Sequence, residues 1–208
     1  TGVSEVEIYY DHSAEEGGAG TGAEITPVLG ESFGTEASGE HAWEYFDDRL
    51  YNRTYDDYQD LMGYYTVKKG QDTKNKYLYA HTYVYSPKEQ EAYFNIGATG
   101  SYRVYVNDEC VSGTPTVPKA DPQKDDQKLP ITLEKGWNKI LIQLFHVYTE
   151  DTDNNGIPTA ADAAGVYAGF YGRVADADGN PVDGVISSVT GESDELQIVT
   201  GSLYTGDT

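Results

Sequence analysis

Residues 77–106, YLYAHTYVYSPKEQEAYFNIGATGSYRVYV, constrain the fold more than any other stretch. Tyr77, Tyr79, His81, Tyr83 and Tyr85 alternate with Leu78, Ala80, Thr82 and Val84. That is the two-residue period of a strand, and both sets are apolar enough to predict burial on both faces. Ser86-Pro87-Lys88 ends the run, because proline has no N–H to give a ladder. A second strand is predicted with Ala92, Phe94 and Ile96 on one side, then a turn at Gly97 and Thr99-Gly100. A third follows, with Tyr102, Val104 and Val106 opposite Ser101, Arg103 and Tyr105. The spacing predicts a meander of three strands in the middle of an antiparallel sandwich. Nothing in it points to catalysis.

Composition narrows the class. Tyr (19) and Gly (23) are abundant while Met occurs once, and the periodic segments are β-branched and aromatic, so the chain is expected to be all-β. Its 208 residues suit one domain with arms. The division expected is an N-terminal strand and acidic Gly-rich arm over 1–40, a β-sandwich over 41–190, and a C-terminal strand and tail over 191–208. Acidic residues number 35 against 14 basic ones, for a net charge of −21. Such a surface repels phosphate backbones and makes nucleic acid a poor partner. It suits calcium, a salty medium or simple solubility. The single cysteine, Cys110, excludes an intramolecular disulfide and is expected to be a small buried residue. No run approaches ~18 apolar residues, so no membrane insertion is expected. The opening TGVSEVEIYY lacks an initiator Met, as in a processed or excised chain, and the expectation is a secreted one whose signal peptide has been removed.

Along the chain, a strand is predicted over 5–10, followed by Gly- and acid-rich loop to about 42. Trp43, Tyr45 and Phe46 lead into a segment where 56–61 is expected to make one helical turn, with Tyr58, Leu61 and Met62 facing inward. Residues 112–128 form a long polar loop, of the kind usually functional or mobile. Leu129, Ile131 and Leu133 alternate as a strand, and WNKILIQLFHVY reads as a central strand buried on both sides. Further strands are expected at 166–174, at VISSV (185–189) and at ELQIV (195–199).

The set GAEITPVLG, Trp43, YAHTYVYSPKEQEAYFNIGATGSYRVYVND, LPITLEKGWNKILIQL and GFYGRVADADGNPVDGV resembles the galactose-binding-like jelly-roll accessory domains of secreted bacterial and archaeal proteins. These are often attached to carbohydrate-active enzymes. The resemblance covers roughly residues 22–187 and implies a jelly-roll sandwich and a glycan partner. Two departures stand out. The usual apolar opening strand is replaced by VEIYY, and ELQIV is an extra strand at the end. An edge short of one strand, in a chain with one to spare, implies strand exchange between copies. The alternative is that the spare strand folds back on its own chain.

Candidate sites are few. DTDNNGIPTAAD places Asp151, Asp153 and Asn155 at alternate positions, the Ile157 carbonyl next, and Asp162 at the close, around the bend at Gly156. This is calcium-loop spacing. Pro158 and the shorter reach of Asp162 argue against a full site, and an ordinary acidic loop is the alternative. DADGNPVD (176–183) is turn chemistry. Tyr51, Tyr55, Tyr58, Tyr64 and Tyr65 lie in poorly periodic segments and are candidates for a glycan-stacking platform. Trp43 and Trp137, at strand starts, are expected in the core. The four histidines are scattered, and GxSxG, phosphate-loop and HExxH patterns are absent. The expectation is therefore a non-enzymatic extracellular or cell-surface protein. One reading is a self-associating filament subunit built by strand exchange, with calcium as a stiffener. The other is a carbohydrate-binding module for a polysaccharide.

Overall fold

The structure, a computed structural model, describes residues 6–11, 43–46, 58–65, 70, 76–99, 101–112, 122–146, 168–188 and 191. It is an all-β sandwich of two antiparallel sheets. The strands are β1 (Val6–Asp11), β2 (Glu44–Phe46), β3 (Lys76–Ser86), β4 (Gln90–Ala98), β5 (Ser101–Val106), β6 (Glu109–Cys110), β7 (Gln127–Leu133), β8 (Gly136–His146), β9 (Phe170–Ala175) and β10 (Ile186–Ser188). One helical turn, α1 (Leu61–Gly63), lies between β2 and β3.

The larger sheet runs β2-β1-β3-β8-β5-β6, and β10 also pairs with β3. The smaller sheet runs β7-β4-β9. Each strand predicted within 77–106 is present, yet the meander is not. These three strands never pair with one another: β3 and β5 both flank β8, while β4 lies in the other sheet. The break at Pro87 and the turn at Thr99 carry the chain from one layer to the other and back. Alternation fixes which residues of a strand share a face; it does not fix which strand is its neighbour.

Both layers contribute alternate side chains to one core. Leu78, Ala80, Val84, Val104, Ile140, Ile142 and Leu144 come from the larger sheet, and Ala92, Phe94, Ile96, Ile131, Leu133 and Phe170 from the smaller. Several of these are wholly buried, and each such aliphatic or phenyl side chain stabilises by about 1.5–3 kcal/mol. α1 closes one end, starting later than the expected 56–61 turn. Leu61 is buried, Met62 packs on the core, and Asp60 caps the turn by accepting the Gly63 N–H at 2.9 Å. Burial raises the Asp60 pKa, and that hydrogen bond partly offsets the rise.

Part of the outer face of the larger sheet is also buried. Tyr79, Tyr105 and Leu141 pack with Trp43, and the Tyr79 hydroxyl accepts from Gln143 Nε2 at 2.8 Å. Trp43 meets the buried His81 edge-on, with ring centroids 6.0 Å apart. Trp137 belongs to neither core cluster, contrary to expectation. It stands half-buried at the start of β8 against its cross-strand partner Tyr85, 5.4 Å away. Cys110 is exposed, not buried, because β6 is a two-residue edge strand and Ser112 takes the buried position, its hydroxyl accepting the Val104 N–H at 2.8 Å.

The N-terminal strand lies on its own chain. β1 pairs with β3 from Glu7↔His81 to Asp11↔Tyr77, and β10 covers the rest of that edge from Ser188↔Tyr83 to Ile186↔Tyr85. The expected short edge is thus closed by two pieces laid end to end. The strand expected at 195–199, and most of both arms, lie outside the described residues.

Candidate functional site

The smaller sheet turns its other face outward. Ala92, Phe94 and Ile96 of β4 point into the core, so Glu91, Tyr93, Asn95 and Gly97 point away. The register sets Glu91 beside Thr132, Tyr93 between Pro130 and Ala175, Asn95 between Lys128 and Arg173, and Gly97 beside Tyr171. Pro130 has no N–H, which blunts β7 as an edge strand.

At one end of this face lies a groove of about 520 Å³, bounded on its far side by the β5–β6 hairpin. Its lining includes Glu91, Tyr93, Asn107, Glu109, Thr132 and Glu134. The three glutamates and Thr132 are exposed, and Tyr93 and Asn107 are half-buried. Among the described residues none of the three carboxylates enters an ion pair. The hairpin is held rigidly. Asn107 and Asp108 both take positive φ, as a two-residue hairpin turn requires. The Asn107 amide donates to Asn138 Oδ1 at 2.8 Å and accepts the Lys139 N–H at 2.9 Å, while Lys139 pairs with Asp108. The groove therefore offers a flat ring, acceptor oxygens and the hydroxyls of Tyr93 and Thr132 on a fixed frame.

At the other end of the same face, residues 122–126 lie across the sheet. Arg173 Nε donates to Asp125 Oδ1 at 2.7 Å, and its Nη2 donates to Oδ2. The guanidinium holds the Asp125 carboxyl below the usual carboxylate range, against the opposing effect of burial. Lys124 Nζ stands 5.7 Å from the Tyr171 ring centroid, and Tyr171 packs on Tyr58 at 5.0 Å. Gln123 O sits where a β-carbon at Gly97 would be, 1.9 Å from that point, so glycine is what lets this segment approach. Asn95 lies underneath, 1% exposed.

Of the five tyrosines expected as a platform, three are described, and two of these are core residues. Tyr64 and Tyr65 are buried in the main core, 5% and 2% exposed, where Tyr64 packs edge-on to Phe46 at 5.1 Å. Tyr58 is half-buried, bonds Thr99 Oγ1 at 3.0 Å, and joins the outer face of the smaller sheet through Tyr171. Tyr51 and Tyr55 lie outside the described residues, as does the candidate calcium loop with Asp151, Asp153, Asn155, Ile157 and Asp162. Among the described residues no three His, Cys, Asp or Glu side chains converge as a metal site. No described helix is long and apolar enough to cross a membrane. The residues the sequence reading passed over are Tyr93, Asn95, Asp125 and Arg173. The long loop at 112–128 was the signal available for Asp125; the others look like any solvent-facing strand positions.

No family model and no curated protein matches the chain. Among solved structures it is similar to a β-glucosidase from Kluyveromyces marxianus, at 14% identity and a TM-score of 0.42, over 94% of this chain and 17% of that one. It is also similar to an α-xylosidase from Xanthomonas citri, at 13% identity and a TM-score of 0.32, over 82% of this chain and 16% of that one. The PA14 domain of the MpAFP antifreeze protein is similar at 14% identity and a TM-score of 0.26, over 45% of this chain and 51% of that one. The chain thus spans about a sixth of the length of the glucosidase. Likenesses at this level do not reach activity.

Proposed function

We propose that the protein is a non-enzymatic, extracellular β-sandwich module of the galactose-binding-like jelly-roll type, which binds polysaccharide along the outer face of its smaller sheet. The observation that carries this is the groove beside Tyr93. An aromatic ring matches the apolar face of a pyranose, and the surrounding carboxylates and hydroxyls match its hydroxyl groups. The exposure of Glu91, Glu109 and Glu134 supports a binding role over a catalytic one, since a glycosidase raises the pKa of its acid by burying it. Affinity electrophoresis against soluble xylan, mannan and β-glucan tests the reading. Retardation that Tyr93→Ala abolishes and Tyr85→Ala, on the opposite sheet, leaves intact is the expected result. Unretarded parent protein overturns it.

Calcium held by Asp151, Asp153, Asn155, the Ile157 carbonyl and Asp162 belongs to the same proposal, as a structural ion. A rise in Tm on adding calcium, lost in Asp153→Ala, is its test.

A second reading is a self-associating subunit of a cell-surface filament. Its support is the edge of β3, closed by two separate pieces from opposite ends of the described chain. A terminal strand in such a seat makes the same contacts whether it comes from its own chain or from a second copy. Deleting residues 1–12 and supplying them as a peptide is the test. Oligomers that vanish on deletion support this reading, and an unchanged oligomeric state removes it.

A further inference from the structure

We propose that Asn95 is the buried half of the saccharide subsite, uncovered when residues 122–126 lift off the smaller sheet. This rests on the glycan reading above and adds a residue and a movement to it. Asn95 is 1% exposed, and neither its Nδ2 nor its Oδ1 has a hydrogen-bond partner. Asp125 above it is the nearest polar group: a side-chain hydrogen-bonding interaction with the Asn95 amide helps to lower the carboxyl's pKa, but it is too long or too bent to count as a formed bond. Burying an amide unpaired is costly, and folded proteins pair nearly all such groups.

The other buried asparagine shows what a structural amide looks like. Asn138 Oδ1 accepts from the Glu134 N–H and from Asn107 Nδ2, both at 2.8 Å. Its Nδ2 donates to the carbonyls of Glu134 at 2.9 Å, Gly136 at 3.1 Å and Val84 at 3.3 Å. Asn138 knits β8 to two neighbouring turns, whereas Asn95 reaches only toward Asp125 and makes no formed bond. A leucine would fill the same space at Asn95 without the desolvation cost.

The cover over Asn95 is held by polar ties. They are the Asp125–Arg173 pair, with side chains 29% and 28% exposed, and the Lys124 ammonium over Tyr171. Asp125 itself sits at φ 64, a left-handed conformation that few non-glycine residues adopt. Such a strap exchanges its contacts for others of the same chemistry. A planar amide presents a donor and an acceptor side by side, which suits adjacent hydroxyls of a saccharide. Tyr93 lies two residues before Asn95 on the same face, about 7 Å away. A pyranose stacked on Tyr93 thus brings its hydroxyls, or the next sugar unit, over Asn95 and Arg173.

The test compares the parent, Asn95→Leu, Asn95→Ala and Tyr93→Ala, each by Tm and by affinity electrophoresis with soluble xylan, mannan and β-glucan. Asn95→Leu is expected to bind at least tenfold more weakly while melting at or above the parent temperature. Asn95→Ala serves if the leucine variant does not fold. Undiminished binding in the Asn95 variants, or a lowered Tm in both, overturns the subsite even if Tyr93→Ala loses binding. Parent protein that binds none of the three overturns the glycan reading and this inference together. Amide hydrogen exchange over 122–126 is expected to rise with saccharide bound, and unchanged exchange removes the movement.

Discussion

The two outer faces of the sandwich are built from the same kind of strand and put to opposite uses. On the larger sheet, Tyr79, Tyr105 and Leu141 lie under Trp43 as a second core. On the smaller sheet, Tyr93, Thr132 and the glutamates around them line an open groove. Tyrosine alone does not distinguish a sugar platform from a core: Tyr79 is wholly buried, while Tyr93 meets solvent. What differs is whether another layer comes down on the face.

That contrast breaks most readily at Trp43. Trp43→Ala is expected to cost about 3–5 kcal/mol in chemical denaturation and to leave any retained polysaccharide binding unchanged. A loss below about 1 kcal/mol would mean that the aromatic face of the larger sheet is not a core.

Gly97→Ala comes next. Its β-carbon meets the Gln123 carbonyl, so the sheet or residues 122–126 must move, at about 1–3 kcal/mol. Unfolding curves for this variant, with hydrogen exchange over 122–126, separate a strap that shifts from a sheet that distorts.

Asp125→Asn is smaller, about 1 kcal/mol or less, as for other partly exposed ion pairs. Arg173 lowers the Asp125 pKa in the folded state. Its stabilisation is therefore complete above the ordinary aspartate value of about 3.9, and is lost as pH falls through the lower folded value. The Tm deficit of the variant should be present at pH 7 and close in strong acid. A deficit independent of pH would assign it to packing instead.

Tyr93→Ala sits at the bottom of the stability scale, within about 0.5 kcal/mol of the parent. Its effect is expected in polysaccharide retention alone, and a large loss of stability would place Tyr93 with the core tyrosines.

The sequence determined the strands and their faces. The alternation at 77–85, the inward set Ala92, Phe94 and Ile96, the run 129–133 and the two-sided strand that begins at WNKIL all appear where the period places them. A strand's period is local, set by backbone geometry and by the burial of every second side chain. Tertiary structure alone decided which strands are neighbours, since the three strands of 77–106 alternate between layers and never pair with one another. It also decided which tyrosines are core, why Cys110 is exposed, and how Asn95 came to lie beneath Asp125 and beside Arg173. Those outcomes depend on contacts between residues far apart in the chain, and a two-residue period carries no information about what lands on a face.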